Sequence, residues 1–132
     1  MTFQRCFSGS PYEAKIGFCR GIRFGSQIHI AGTAPIAAEG GVHAPGDAYA
    51  QARRCLEIGH NALMQLNGRI DQVYRVRWYL TDISRQEDVG RAHSEYFRAH
   101  PPVATMVEVK ALVDPQMLVE LELEAWAGEE EA

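Results

Sequence analysis

The chain has 132 residues, 46% of them hydrophobic and 23% charged, with a formal charge of −4 and a pI near 5.7. That length suits one domain over residues 1–132, able to bury roughly two-thirds of its unfolded surface without a metal or a disulfide. The acidic balance argues against a general binder of the nucleic-acid backbone, and no run approaches the ~20 apolar residues of a membrane helix.

Residues 3–7 suggest a short first strand. The segment Ser8-Gly9-Ser10-Pro11-Tyr12-Glu13 is rich in turn formers and is read as a loop, with Tyr12 and Glu13 lying either over a cleft or against the sheet edge. Residues 18–24 and 27–31 alternate around Gly25-Ser26, which predicts a hairpin. Residues 38–46 hold three glycines, a proline and a histidine and read as a loop. Asp47 is a good N-cap for a helix whose apolar stripe runs through Ala48, Ala52, Cys55, Leu56, Gly59, Ala62, Leu63 and Leu66. Asn67-Gly68 closes it, with Gly68 suited to the left-handed cap. Residues 73–81 form a strand rich in branched and aromatic side chains. Ser84 caps a second helix that ends near His100, because Pro101-Pro102 cannot continue it. Residues 103–109 and 117–127 are the final strands. The order predicts an α+β fold, a mixed sheet with two helices packed on one side.

Parity then assigns the faces. Successive strand residues point to opposite sides, so Val76, Trp78 and Leu80 go with Val119, Leu121, Leu123 and Ala125 under the helices. Arg75, Arg77 and Tyr79 share the other side with Glu120, Glu122, Glu124 and Trp126. Such a face is either a solvated surface with cross-strand ion pairs or a surface of association between subunits.

The three cysteines, Cys6, Cys19 and Cys55, are odd in number and match no zinc spacing. With no secretory leader, they are expected to be free thiols in a reducing cytoplasm. The histidines His29, His43, His60, His93 and His100 form no metal-ligand motif, and no phosphate-cradling or nucleotide-binding glycine motif occurs. No metal or cofactor is expected.

Several segments carry a family likeness. Residues 18–25 and 28–35 form a strand, a glycine and a second strand ending Ala31-Gly32-Thr33-Ala34-Pro35. Residues 51–61 and 73–82 and the pair Tyr96-Phe97 follow in order. Pro101 to Val109 leads into the strand Leu118-Val119-Glu120-Leu121-Glu122. Together they resemble the RidA/YjgF (reactive intermediate deaminase) family. The resemblance implies a chorismate-mutase-like fold assembled as a homotrimeric barrel, with small-molecule clefts between subunits. It implies hydrolysis of enamines and imines such as 2-aminoacrylate; an endoribonuclease activity, also associated with the family, fits poorly with the acidic charge.

The resemblance also locates a site. The family glutamate falls on Glu120, as the catalytic group, and the family glycine on Gly32, followed by Thr33. The polar cleft positions before that glycine, on the first strand and in the second helix fall on Ala31, Phe18 and Gly90. The arginine that binds the substrate carboxylate falls on Ala104. Standard 2-imino-acid deamination is therefore not expected. Phe18, Ala104 and Met106 would surround Glu120 with apolar groups, raise its pKa and suit it as a general base. Arg20, Arg23, Arg75 and Arg77 are candidates for a replacement cation, Arg77 in particular from its face; the plainer reading of each is an ion pair. The expectation is a trimer binding a small metabolite with Glu120-assisted hydrolysis, or else a non-catalytic binding module of the same fold.

Overall fold

The computed structural model describes residues 2–128. In chain order the elements are β1 (Gln4–Cys6), α1 (Pro11–Ile16), β2 (Gly21–Phe24), β3 (Gln27–Thr33), α2 (Ala48–Gln65), β4 (Val73–Leu80), α3 (Gln86–Phe97), β5 (Val103–Glu108) and β6 (Val119–Trp126). They build one six-stranded sheet in the order β1-β2-β3-β6-β4-β5. Only β4 and β5 run parallel, because α3 carries the chain back across the sheet between them.

The expected parity is what the sheet shows. Val76, Trp78, Leu80, Val119, Leu121, Leu123 and Ala125 are all buried beneath the helices. Gly59 lets α2 press onto β6, since a Cβ there would come within 2.9 Å of Leu123 Cδ1. On the opposite side Arg77 pairs with Glu124 at 2.8 Å and Tyr79 donates to Glu122. Gln51, fully buried in α2, donates to the carbonyl of Gln116 at 2.9 Å and accepts from the amide of Leu118 at 2.8 Å. This stitch fixes Leu118, just ahead of β6 and two residues before Glu120.

Several boundaries move. Residues 8–13 are not all loop: Ser10 caps α1 by accepting from the Tyr12 amide, and Pro11 occupies the first helical turn, where its missing N–H costs nothing. The first hairpin strand starts at Gly21 rather than Phe18, because Gly17 ends α1 with φ +97° and the Phe18 amide returns to the Glu13 carbonyl. The second strand runs on to Thr33 through an irregularity. Asn67, not Gly68, takes the left-handed conformation, with φ +59°. Gly68 is needed for space instead: a Cβ would lie 2.7 Å from Ile28 Cδ1. Ser84 does not cap the second helix: Asp82 caps a 3-10 turn over Ile83–Arg85, accepting from the Ser84 amide and hydroxyl, and α3 follows from Gln86 without a side-chain cap and stops at Phe97. The last two strands are shorter than predicted at both junctions with the intervening loop.

His93 on α3 is half-buried against the core. Its Nδ1 accepts from Trp78 Nε1 at 3.0 Å, and burial lowers its pKa from the ordinary histidine value. The folded state therefore binds fewer protons than the unfolded chain, and stability falls as pH drops through about 6.5 toward the lower folded value. Urea midpoints compared between pH 7.5 and 5 should show this slope in the native protein and a shallower one in His93→Gln. Equal slopes would remove the assignment.

Candidate functional site

The site begins with a fault in the ladder. Ile30 pairs with Leu123 but Thr33 pairs with Leu121, so three steps along β3 match two along β6. Such a bulge re-aims the side chains beyond it. Thr33 turns inward, is 1% exposed, and its hydroxyl donates to the Ala31 carbonyl at 2.7 Å. Gly32 is brought against Glu120: a Cβ would stand 2.6 Å from Glu120 Oε2, so only glycine leaves room for the carboxylate.

A buried ion pair supports this corner from behind. Arg20 Nε donates to Glu13 Oε2 at 2.9 Å, and the two side chains are 5% and 3% exposed. Arg20 Nη1 donates to the Gly32 carbonyl at 2.6 Å and to Thr33 Oγ1 at 3.1 Å. Glu13 also accepts from the Ser8 amide at 3.0 Å and from the Ser8 hydroxyl. Burial alone would raise the Glu13 carboxyl, but the bonds from Ser8 and Arg20 outweigh it and hold it below the usual carboxylate range. The chain Ser8–Glu13–Arg20–Gly32 thus ties α1 to the bulge.

In front of the bulge lies a cavity of about 320 Å³. Tyr12 and Phe18 come from α1 and the turn after it, Gly32 and Glu120 from the sheet, and Arg54 from α2, with Arg20 at the back. Ile36, Ile58 and Val113 complete an apolar wall. Arg20 Cζ lies 5.4 Å from the centre of the Phe18 ring. Burial pushes the Glu120 carboxyl above its ordinary value; Arg20 opposes this and Glu122 adds to it. Burial, then the nearby negative charge of Glu120, pushes up the Cys55 thiol beneath β6. A carboxylate in an apolar recess, poised above its normal range, is suited to move protons.

Of the residues singled out from the sequence, Phe18, Gly32, Thr33 and Glu120 line this cavity. Ala31 and Arg77 border a second one of about 230 Å³ on the sheet's outer side, with Arg20 between the two. Gly90 lies in α3, and Ala104 and Met106 lie on β5; none of the three borders the main cavity of the same chain. The cation of the main cavity is Arg20 rather than Arg77, joined by Arg54, whose Nε is fixed by the Ile36 carbonyl at 2.7 Å. The signal for Arg20 was present: Ser-Pro before an acidic residue marks a helix start, and a short helix there brings Glu13 back to residue 20.

The profile of the family described as endoribonuclease L-PSP matches residues 9–127, nearly the whole chain. An uncharacterised protein of Streptomyces coelicolor is 33% identical over 125 residues, covering 95% of this chain and 92% of that one. A RutC family protein of Pyrococcus abyssi is 30% identical over 109 residues, covering 83% and 85%. A Mycobacterium tuberculosis member of the YjgF/YER057c/UK114 family superposes with a TM-score of 0.86 at 37% identity, covering 95% and 99%. The chain belongs to the RidA/YjgF family. Its fold is also that of the Escherichia coli YjgF gene product, with a TM-score of 0.80 at 23% identity over 93% and 97% of the two chains. Ala104, expected from the family likeness at the arginine position, is exposed on β5, one of the two edge strands. Among the described residues no helix is long and apolar enough to cross a membrane.

Proposed function

We propose that this RidA/YjgF chain acts as a homotrimer that binds a small metabolite between subunits and hydrolyses a carbon–nitrogen bond with Glu120 as general base. The observation that carries the reading is the Glu120 carboxylate, held against Gly32 in an apolar recess and raised by burial. Glu120 takes a proton from water as the water oxygen bonds to the carbon of a protonated C=N group, and the π pair moves to nitrogen, giving a neutral carbinolamine and protonated Glu120. Glu120 then returns its proton to the nitrogen, which leaves as ammonia or an amine with the C–N bonding pair, while the hydroxyl oxygen forms C=O and its proton passes through Glu120 to the departing nitrogen, which ends as ammonium. A carbonyl compound remains, and no oxidant or reductant is needed.

The ligand is not a simple 2-imino acid. Ala104 cannot clamp a carboxylate, and the guanidinium of Arg20 is already committed to Glu13, Gly32 and Thr33. Incubating the protein with a panel of imines and enamines, freshly generated, should release ammonia from a member lacking the 2-carboxylate faster than from 2-aminoacrylate. No release from any member would overturn the hydrolytic reading. Replacement of the polar cleft positions by Phe18, Ala31, Gly90 and Ala104 favours a second reading, a binding module without turnover. Ligand-induced thermal stabilisation with no product would support it.

Assembly is supported by surfaces that one chain leaves open. Val103 and Val107 are 55% and 41% exposed on the edge strand β5, and Trp126 is 58% exposed on the charged face. A bare strand edge with apolar side chains invites pairing or burial. Light scattering should give a mass of three chains, and a mass of one chain would overturn the trimer.

A further inference from the structure

Gly32 has a charge on each side of it. Its carbonyl accepts from Arg20 at 2.6 Å, while its α-carbon lies against Glu120 Oε2, so the guanidinium and the carboxylate flank one residue. Behind Arg20 stands Glu13, which is 3% exposed and takes the Nε donor at 2.9 Å. Glu13 does not line the cavity, and the hydrolysis above makes no use of it. A salt bridge over α1 is a costly way to hold a six-residue helix, because both charges are desolvated. The pair has a second effect: it sets how much positive charge the bulge feels.

We propose that Glu13 is the positioning residue of this cavity: by pairing with Arg20 it fixes the guanidinium behind Gly32 and screens Glu120 from its charge. The proposal rests on the role given to Glu120 above. Without Glu13, a full positive charge would face Glu120 across Gly32 and stabilise its anionic form, making it a weaker base. Other groups around Glu120 are fixed in place. Glu122 follows it on β6, Tyr79 pairs with it from β4, and Cys55 and Arg54 face it from α2. None of these touches Glu13, so changing Glu13 acts on Glu120 through Arg20. The glutamine side chain can still accept from Ser8 and from Arg20 Nε, so Glu13→Gln removes the charge and retains the shape.

The test is a carboxyl-carbon NMR titration of the ligand-free protein, with the Glu120 resonance assigned by its loss in Glu120→Gln. In Glu13→Gln the Glu120 midpoint should fall by about half a pH unit or more, a part of the ~1–3 units that an opposite charge nearby produces, because Arg20 already acts on Glu120 in the native protein. A midpoint within about 0.2 of the native value would overturn the proposal, since adjacent unit charges move a carboxyl by more than that. Should the single variant be unstable, the double variant Glu13→Gln, Arg20→Met leaves no unpaired charge, and its midpoint should lie at or above the native value. A midpoint below the native value there would equally overturn the proposal. If the midpoint moves as expected but no hydrolysis is found with any imine, the coupling stands and the catalytic reading of Glu120 fails.

Discussion

Glu120→Gln should lower the rate of imine hydrolysis by roughly two to four orders of magnitude, the range that a positioned general base contributes. Glutamine fits the same recess beside Gly32 but cannot take a proton from water. The loss should fall on kcat rather than on KM, because the missing step is proton transfer and the cavity wall is unchanged. Stability should move the other way. The folded carboxyl is raised above its unfolded value, so charging it in the fold is unfavourable and stability is lost as pH climbs through the folded value. At neutral pH a neutral side chain there should unfold no earlier than the native protein. A variant that is both inactive and clearly less stable would assign Glu120 to structure, and an active one would end its role as base.

Arg20→Met should cost about 3–5 kcal/mol, the usual penalty for removing one partner of a buried ion pair. Glu13 would keep its charge in a site that is 3% exposed, and the Gly32 carbonyl and Thr33 hydroxyl would lose a donor. The penalty should shrink as pH falls, since protonation can neutralise the stranded Glu13. Arg77→Met provides the comparison. Its pair with Glu124 is slightly shorter, 2.8 Å against 2.9 Å, but the side chains are 37% and 22% exposed, and such pairs are worth ~0–1 kcal/mol. Urea unfolding of both variants at pH 7 separates the cases. A loss below about 1 kcal/mol for Arg20→Met would show that water or relaxation replaces its bonds.

The sheet could be read from the sequence wherever burial repeats every second residue. Residues 73–80 and 119–126 announce both their faces, and the same parity sets the face of Glu120, whose place in the site came from the family likeness. The helix α2 was legible down to its Asp47 cap. The corner around Gly32 was not. Its geometry comes from a bulge, and a bulge is a change of phase between two strands more than eighty residues apart in the chain, with no composition of its own. Arg20 was visible as a cation, but its partner Glu13 sits in a six-residue helix too short to show a periodic stripe. Arg54 fell on the polar side of the α2 pattern, and only the loop carrying Ile36 turns that side into a wall. Gly68 was recognised as special for its backbone freedom, yet what requires glycine there is the proximity of Ile28.

The one-residue surplus in β3 also bears on how this protein can change. Without it the strand would run in phase from Gln27 onward, Thr33 would turn outward, and β3 and β6 would close into an unbroken ladder. That sheet would be more regular, with no gap for a carboxylate at Gly32. Selection for rigidity alone would favour healing the defect, and selection for a ligand site would preserve it. A deletion at this point would thus erase the recess while sparing the rest of the architecture, whereas side-chain changes in its lining, at Phe18 or Ile58, alter only what the recess can hold.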